Sequence, residues 1–256
     1  MLPELSYQFG LIITSGLLES AFLLWWQSKQ MPTQNIRKWL DILLISGIIA
    51  IIAARIVHVW FINYRYFSAY PSDIWDIWYG GLNWQSGLIA GLTAILILAR
   101  HQNINLAPLS DGIALCLPLW MLHGWWACRY GGCGYSTALG EDNHSTWLVG
   151  YLPDQFGDVW LRYEWQILGM AFALCIWLII GSFTVTNRFQ GKRLGYTLIL
   201  IGVAMLALSL GRDDLVTTRI GTHGTRWLDI LVISLGVLWL RWGTNNDKIT
   251  SEIAGV

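Results

Sequence analysis

The chain has 256 residues, of which 55% are hydrophobic and 12% charged, and its formal net charge is +0. That balance, with a mean hydropathy of +0.48, excludes an ordinary soluble core and indicates an integral membrane protein. It also excludes the basic surface that nucleic-acid binding requires, so no nucleic-acid partner is expected.

A membrane-crossing helix needs about 20 apolar residues. By that criterion the predicted spans lie at about 8–27, 39–62, 81–99, 109–127, 161–183, 194–211 and 226–241. The expected fold is therefore an all-α integral membrane protein of about seven transmembrane helices, a single polytopic domain over residues 1–256. The first run lacks a basic leading region and a small-residue cleavage site; Glu19 interrupts it and Trp25-Trp26 follow. It reads as a retained span, not a signal peptide. The second run carries Arg55, an expensive charge at that depth that must face the bundle. Its alternatives are a structural pair with Glu19 or Asp41, or substrate contact.

The third run is the most informative. Residues 78–91 form a glycine-studded turn that brings Asn83, Gln85 and Ser86 into a hydrocarbon-length segment. Polar groups there face a partner, a cavity or a substrate, while the glycines, Gly87 among them, equally suit close helix packing. The fourth run contains Asp111, Pro118 and His123, and the fifth Glu164 and Gln166. Many of the 17 tryptophans, among them Trp25, Trp26, Trp60, Trp84, Trp177, Trp239 and Trp242, stand near run ends, as interfacial residues do.

Lysine and arginine in short loops set orientation. One side carries Lys29, Arg37, Lys38, Arg100, Arg188, Lys192, Arg193, Arg241 and Lys248; the other carries Arg65, Arg129, Arg212, Arg219 and Arg226 beside many acids. The first side is read as cytoplasmic, placing the N-terminus outside and the C-terminus inside. The long connections, about 62–80 and 128–160, then lie outside. Loops on one side of a compact bundle are where function concentrates.

Taken in order, several pieces carry a likeness. They are Gln8-Phe9-Gly10 in the first span, Ala54-Arg55-Ile56-Val57-His58 in the second, and residues 80–89 opening the third. Ser110-Asp111 and Pro118 then lead to Gly124–Tyr135, followed by Arg162-Tyr163-Glu164-Trp165-Gln166 and Leu208–Asp214. This arrangement, over nearly the whole chain, resembles the prolipoprotein diacylglyceryl transferase family. The resemblance implies an enzyme of the bacterial inner (cell) membrane. It would move diacylglycerol from phosphatidylglycerol, bound from the membrane, onto the lipobox cysteine thiol of a prolipoprotein signal peptide. No cofactor and no metal are implied.

The likeness has gaps. Where the family shows His-Gly-Gly, this chain has Gln85-Ser86-Gly87. Glutamine hydrogen-bonds a headgroup but is no general base. An ungapped count puts Trp125 at a family arginine, with Arg129 four residues later on the same helical face. Arg129 is either a displaced guanidinium or an ordinary loop arginine. Of the family's Arg, Glu and Arg at the end of the sixth span, the chain has Met205, Ser209 and Arg212. The same count matches Cys128 and Cys133 to a cysteine-containing branch of the family, which implies a structural role for them.

A phosphate-bearing donor calls for arginine. The expected catalytic residues are Gln85, Arg129 and His123, and the expected substrate contacts are Asn83, Gly87, Gln166, Arg212 and Arg55. His58, His123, His144 and His223 are the histidines able to act as a base; for His123 a packing role is the alternative. Asp213 and Asp214 either orient Arg212 or form a solvated helix end. Cys128 and Cys133 have no histidine or acid nearby to complete a zinc site. The sequon at Asn143 carries little weight. The rival readings are a catalytically silent homologue that binds lipid or lipoprotein, and a related lipid transferase with another acceptor.

Overall fold

A computed structural model of the chain describes residues 3–29, 36–77, 81–139, 148–154, 158–213 and 221–254. Expectations that rest on Trp78, Gly80, Glu141, Asp142, Asn143, His144, Asp214 and Arg219 lie outside these residues.

The long helices are α1 (Pro3–Lys29), α2 (Ile36–Val57), α4 (Trp84–His101), α5 (Leu106–Gly131), α6 (Trp165–Val185), α7 (Arg193–Leu208) and α8 (Gly221–Ala254). A π turn, His58–Ile62, extends α2 into a short helix α3 (Tyr64–Ala69) and a 3-10 turn at Pro71–Trp75. Among the described residues, three helical stretches are long and apolar enough to cross a membrane: Arg37–Ile62, Leu106–Gly131 and Trp165–Val185. Helix α7 is apolar but shorter.

The structure is mostly helical, consistent with the expected all-α membrane protein. One small hairpin accompanies the helices: β1 (Val149–Pro153) pairs antiparallel with β2 (Val159–Tyr163), Tyr151 opposite Leu161. The fifth span, expected from about residue 161, therefore opens at Trp165. Residues 159–163 alternate between faces as strands do: Leu161 and Tyr163 stand on one face, and Trp160 and Arg162 on the other.

Helix α5 is the axis. It packs on α1, α6, α7 and α4, while α2 pairs with α4 and α7 with α8. Glycines set the closest approaches. A Cβ at Gly87 would stand 3.2 Å from the Ala50 carbonyl oxygen of α2, and one at Gly236 only 2.7 Å from the Gly195 carbonyl oxygen of α7. The apolar core includes Trp39, Ile42, Leu109, Leu194, Leu198 and Val232. Outward faces are also apolar, with Leu44, Ile52, Leu178 and Leu238 exposed, while Gln85, Asp111, Gln166, Arg193 and Asp229 are buried. Apolar outside and polar inside is the distribution a lipid solvent imposes.

Helix ends place the polar residues. Asn83 caps α4 by accepting the Ser86 N–H at 2.9 Å. Gly132, in the left-handed region at φ +66°, ends α5. The start of α4, the end of α5, the start of α6, the end of α7 and the start of α8 thus share one end of the bundle. At the other end, Asp111 pairs with Arg193 at 3.5 Å and accepts the Gly191 N–H. This second cluster staples the α6–α7 loop to α5.

Candidate functional site

The site begins with a buried chain of amides and acid. Asn83 Nδ2 donates to Gln85 Oε1 at 3.0 Å, and Gln85 Nε2 donates to Asp229 Oδ1 at 3.0 Å. Gln85 and Asp229 are each 1% exposed, so this polar contact between α4 and α8 is sealed from the surface. The amide orientation follows from the network itself: a carboxylate accepts only, so the Gln85 NH2 must face it. Arg212 is close enough for its charge to act on Asp229.

Arg212 also lies over the Trp125 ring, 5.6 Å from its centroid. Trp125 is buried, and side chains at Gly134 and Gly169 would collide with its indole. The ring is thus a slab between the α5–β1 connection and α6, and the guanidinium on its face belongs to Arg212. The π face attracts the cation and holds the arginine in place.

One turn further along α5, Arg129 Nη2 donates to Glu164 Oε1 at 3.0 Å. Glu164 precedes α6, and Gln166 beside it donates from Nε2 to the Cys133 carbonyl at 3.0 Å. Gln166 is 1% exposed, and its Oε1 has no hydrogen-bond partner among the described residues. Cys128 and Cys133 form a disulfide. The bridge closes the turn that carries both Arg129 and the carbonyl holding Gln166.

The hairpin covers this end. Arg162 donates to the Ser136 carbonyl, pairs with Asp154 at 3.4 Å and lies over the Tyr135 ring. Tyr135 in turn accepts the Asp213 N–H at 2.9 Å. Beneath, Thr137, Ser209, Leu210, Gly211, Arg212, Asp213 and Arg226 line a recess of about 240 Å³. Arg226 Nε donates to Ser209 Oγ at 3.3 Å. Two guanidinium groups therefore border one space beside the buried Gln85–Asp229 contact. Such a recess is suited to a phosphate.

The other expected site residues lie elsewhere. Arg55 donates to the backbone carbonyls of Ile74 at 2.9 Å, Asp73 at 2.6 Å and Gly81 at 3.1 Å. It clamps the α2–α4 connection. Gly87 faces Ala50 and Ala54 of α2. His123 Nδ1 is 2.9 Å from the Leu119 carbonyl, and Nε2 stands 3.6 Å from Glu19 of α1. His58 Nε2 lies 3.2 Å from Asn63 Nδ2.

Asp229 and the site roles of Arg226 and Trp125 were absent from the sequence-based set. Asp229 had a signal: it is an acid in a predicted span, three residues after Arg226. An acid there is costly without a partner.

A family model described as prolipoprotein diacylglyceryl transferase matches residues 4–242. Three curated relatives bear the name phosphatidylglycerol–prolipoprotein diacylglyceryl transferase. The one from Staphylococcus carnosus is 28% identical over 77% of this chain and 84% of its own. That from Streptococcus pneumoniae is 26% identical over 90% and 87%. That from Nitrosospira multiformis is 25% identical over 79% and 70%.

Proposed function

The chain belongs to the prolipoprotein diacylglyceryl transferase family, and from that premise we propose that it transfers the diacylglyceryl group of phosphatidylglycerol to the lipobox cysteine thiol of a prolipoprotein. The observation that carries this reading is the recess bordered by Arg212 and Arg226 beside the buried Gln85–Asp229 contact. Polar groups inside an apolar bundle are costly, and a charged lipid headgroup offsets that cost.

In this reading Arg212 and Arg226 receive the donor phosphate, while Gln85 and Asn83 hydrogen-bond the headgroup. Gln166 offers its unpartnered oxygen to a hydroxyl, and Arg129 turns from Glu164 toward the anion when the donor enters. Arg55 and Gly87 act at a distance, by holding the α2–α4 connection and the α4 axis. His123 stands outside the arrangement, because its ring nitrogens are turned to Leu119 and Glu19.

The seven long helices are read as seven spans of one polytopic domain in the bacterial inner membrane, with the site at the outer face. The lysine and arginine bias supports this orientation.

Expression in a bacterium depleted of its own transferase tests the function. Lipidation of a reporter lipoprotein, followed by gel mobility, should be restored. One observation favours a silent lipid-binding homologue instead: the Arg129 guanidinium is already engaged by Glu164 at 3.0 Å. A well-folded protein that restores no lipidation yet retains phosphatidylglycerol through purification would establish that reading.

A further inference from the structure

The segment between α2 and α4 presents a dense aromatic surface. Residues 60–77 hold seven aromatics in 18 positions, against 14% aromatic residues in the whole chain. Phe67 is buried, with the Arg55 guanidinium 5.0 Å from its ring centroid and the His58 ring edge-on to it. The other six, Trp60, Phe61, Tyr64, Tyr66, Tyr70 and Trp75, are exposed, Trp75 to 79%. We propose that the arm formed by residues 64–77 lies in the headgroup layer of the bilayer and is anchored there by its exposed tyrosine and tryptophan side chains. The proposal stands apart from the transferase reading and does not depend on it.

Three observations choose lipid as the occupant of this surface. The first is continuity. Helix α2 belongs to the stretch Arg37–Ile62, which is long and apolar enough to cross a membrane. Along it every fourth residue from Leu44 is exposed: Leu44, Ile48, Ile52 and Ile56, then Trp60 and Tyr64. The stripe turns from aliphatic to aromatic as it passes into the arm, and Trp60 stacks on Tyr64 with ring centroids 6.1 Å apart. Aliphatic side chains belong to the hydrocarbon, and tryptophan and tyrosine to its boundary.

The second is level. Asn63, at φ −117° and ψ 35°, leaves the helical conformation, and the arm turns back toward α2. Arg55 donates to the carbonyls of Asp73 at 2.6 Å and Ile74 at 2.9 Å. Arg55 stands seven residues before Ile62, about 10 Å of helix. The 3-10 turn therefore sits beside the end of the span, within reach of a side chain rooted inside it, and does not rise away into water. The third is chemistry. Tyrosine and tryptophan join an apolar ring to a polar tip, which suits a boundary that is wet on one side. The Tyr66 hydroxyl donates to Asp73 Oδ2 at 2.6 Å. A hydrocarbon seat would exclude Asp73 and Asp76, while a seat in water would leave Tyr70 and Trp75 uncovered; the headgroup layer accommodates both. Arg55 also donates to the Gly81 carbonyl at 3.1 Å, and the Asn83 N–H donates to the Ala54 carbonyl at 3.1 Å. The same clamp thus ties the arm to the opening of α4.

The test uses the full chain in lipid nanodiscs of phosphatidylcholine and phosphatidylglycerol, which leave both faces open to solutes. Cys116 is buried and Cys128 is bridged to Cys133, so Cys175→Ser removes the exposed thiol. In that background Trp75→Cys and, separately, Tyr70→Cys each accept one thiol-reactive fluorophore. Three quenchers are compared: a lipid with a nitroxide on its headgroup, a lipid with a nitroxide at mid-chain, and iodide in the water. The headgroup nitroxide should cause the greatest loss of emission at both positions, and iodide the smallest. Greatest loss with iodide places the arm in water, and greatest loss with the mid-chain nitroxide places it in hydrocarbon; either overturns the proposal. Little loss with all three means that protein covers the arm, and overturns it as well. If Trp75→Cys does not accumulate, Tyr70→Cys retains Trp75 and reads the same layer. Reporter lipidation is scored separately, so the arm and the transferase reading stand or fall independently.

Discussion

The indole of Trp125, packed between Gly134 and Gly169, offers a π face on which Arg212 rests. Arg212→Ala should abolish reporter lipidation while leaving the melting profile in detergent near that of the wild type, since the side chain borders the recess. Trp125→Ala should cost about 3–5 kcal/mol of stability by the rule for large core truncations, read as a loss of thermally resistant protein. Arg129→Ala separates the two arginines. If Arg129 only braces Glu164, lipidation should fall far less than in Arg212→Ala.

At the scale of elements, the start of α6 is held by side chains as well as by packing. The disulfide Cys128–Cys133 closes a six-residue turn, and the Cys133 carbonyl anchors Gln166. Replacing both cysteines with serine should cost about 2 kcal/mol by loop-closure entropy for so short a loop, and should lower activity further by loosening Gln166. Comparing kcat with thermal stability for the double variant measures both effects. The α7–α8 pair depends on glycine backbones in contact. Gly236→Leu would drive a side chain into the Gly195 carbonyl, so overpacking should destabilise by about 1–3 kcal/mol, measured by thermal aggregation in detergent. The hairpin is an element of a different kind, with Arg162, Asp154 and Ser136 linking it to the connection above the recess.

Over the whole molecule, the two ends of the bundle differ in character. One end holds a recess bordered by Arg212 and Arg226, and the buried Gln85–Asp229 contact. The other buries an Asp111–Arg193 pair that binds the α6–α7 loop to α5. The first end is built to receive something and the second to hold helices together. The orientation proposed from loop charge makes a direct prediction. A phosphatase active only outside the membrane, fused after residue 242, should be inactive, and a cytoplasmically fluorescent protein at the same place should glow. The reverse pattern would place the recess at the inner face.

What the amino-acid sequence determined by itself was set by composition and short-range order. Hydropathy marked the apolar segments that became the long helices, because burying the backbone in lipid leaves helix as the economical choice for such runs. The Asn83 cap and the Gly132 stop are local devices that the structure revealed, each satisfying a backbone group within a few residues. Motif order was enough to point to the family. Only the tertiary structure decided which polar residues meet. Asp229 lies 144 residues from Gln85, and no local pattern pairs an amide on one helix with an acid on another. Arg55 was legible as buried but not as a clamp on backbone carbonyls, because those carbonyls come from the loop's path and not from its side chains. The hairpin was missed for the same reason: β1 lay in the expected outer connection and the end of β2 read as the opening of the fifth span, until pairing across the turn satisfies their backbone.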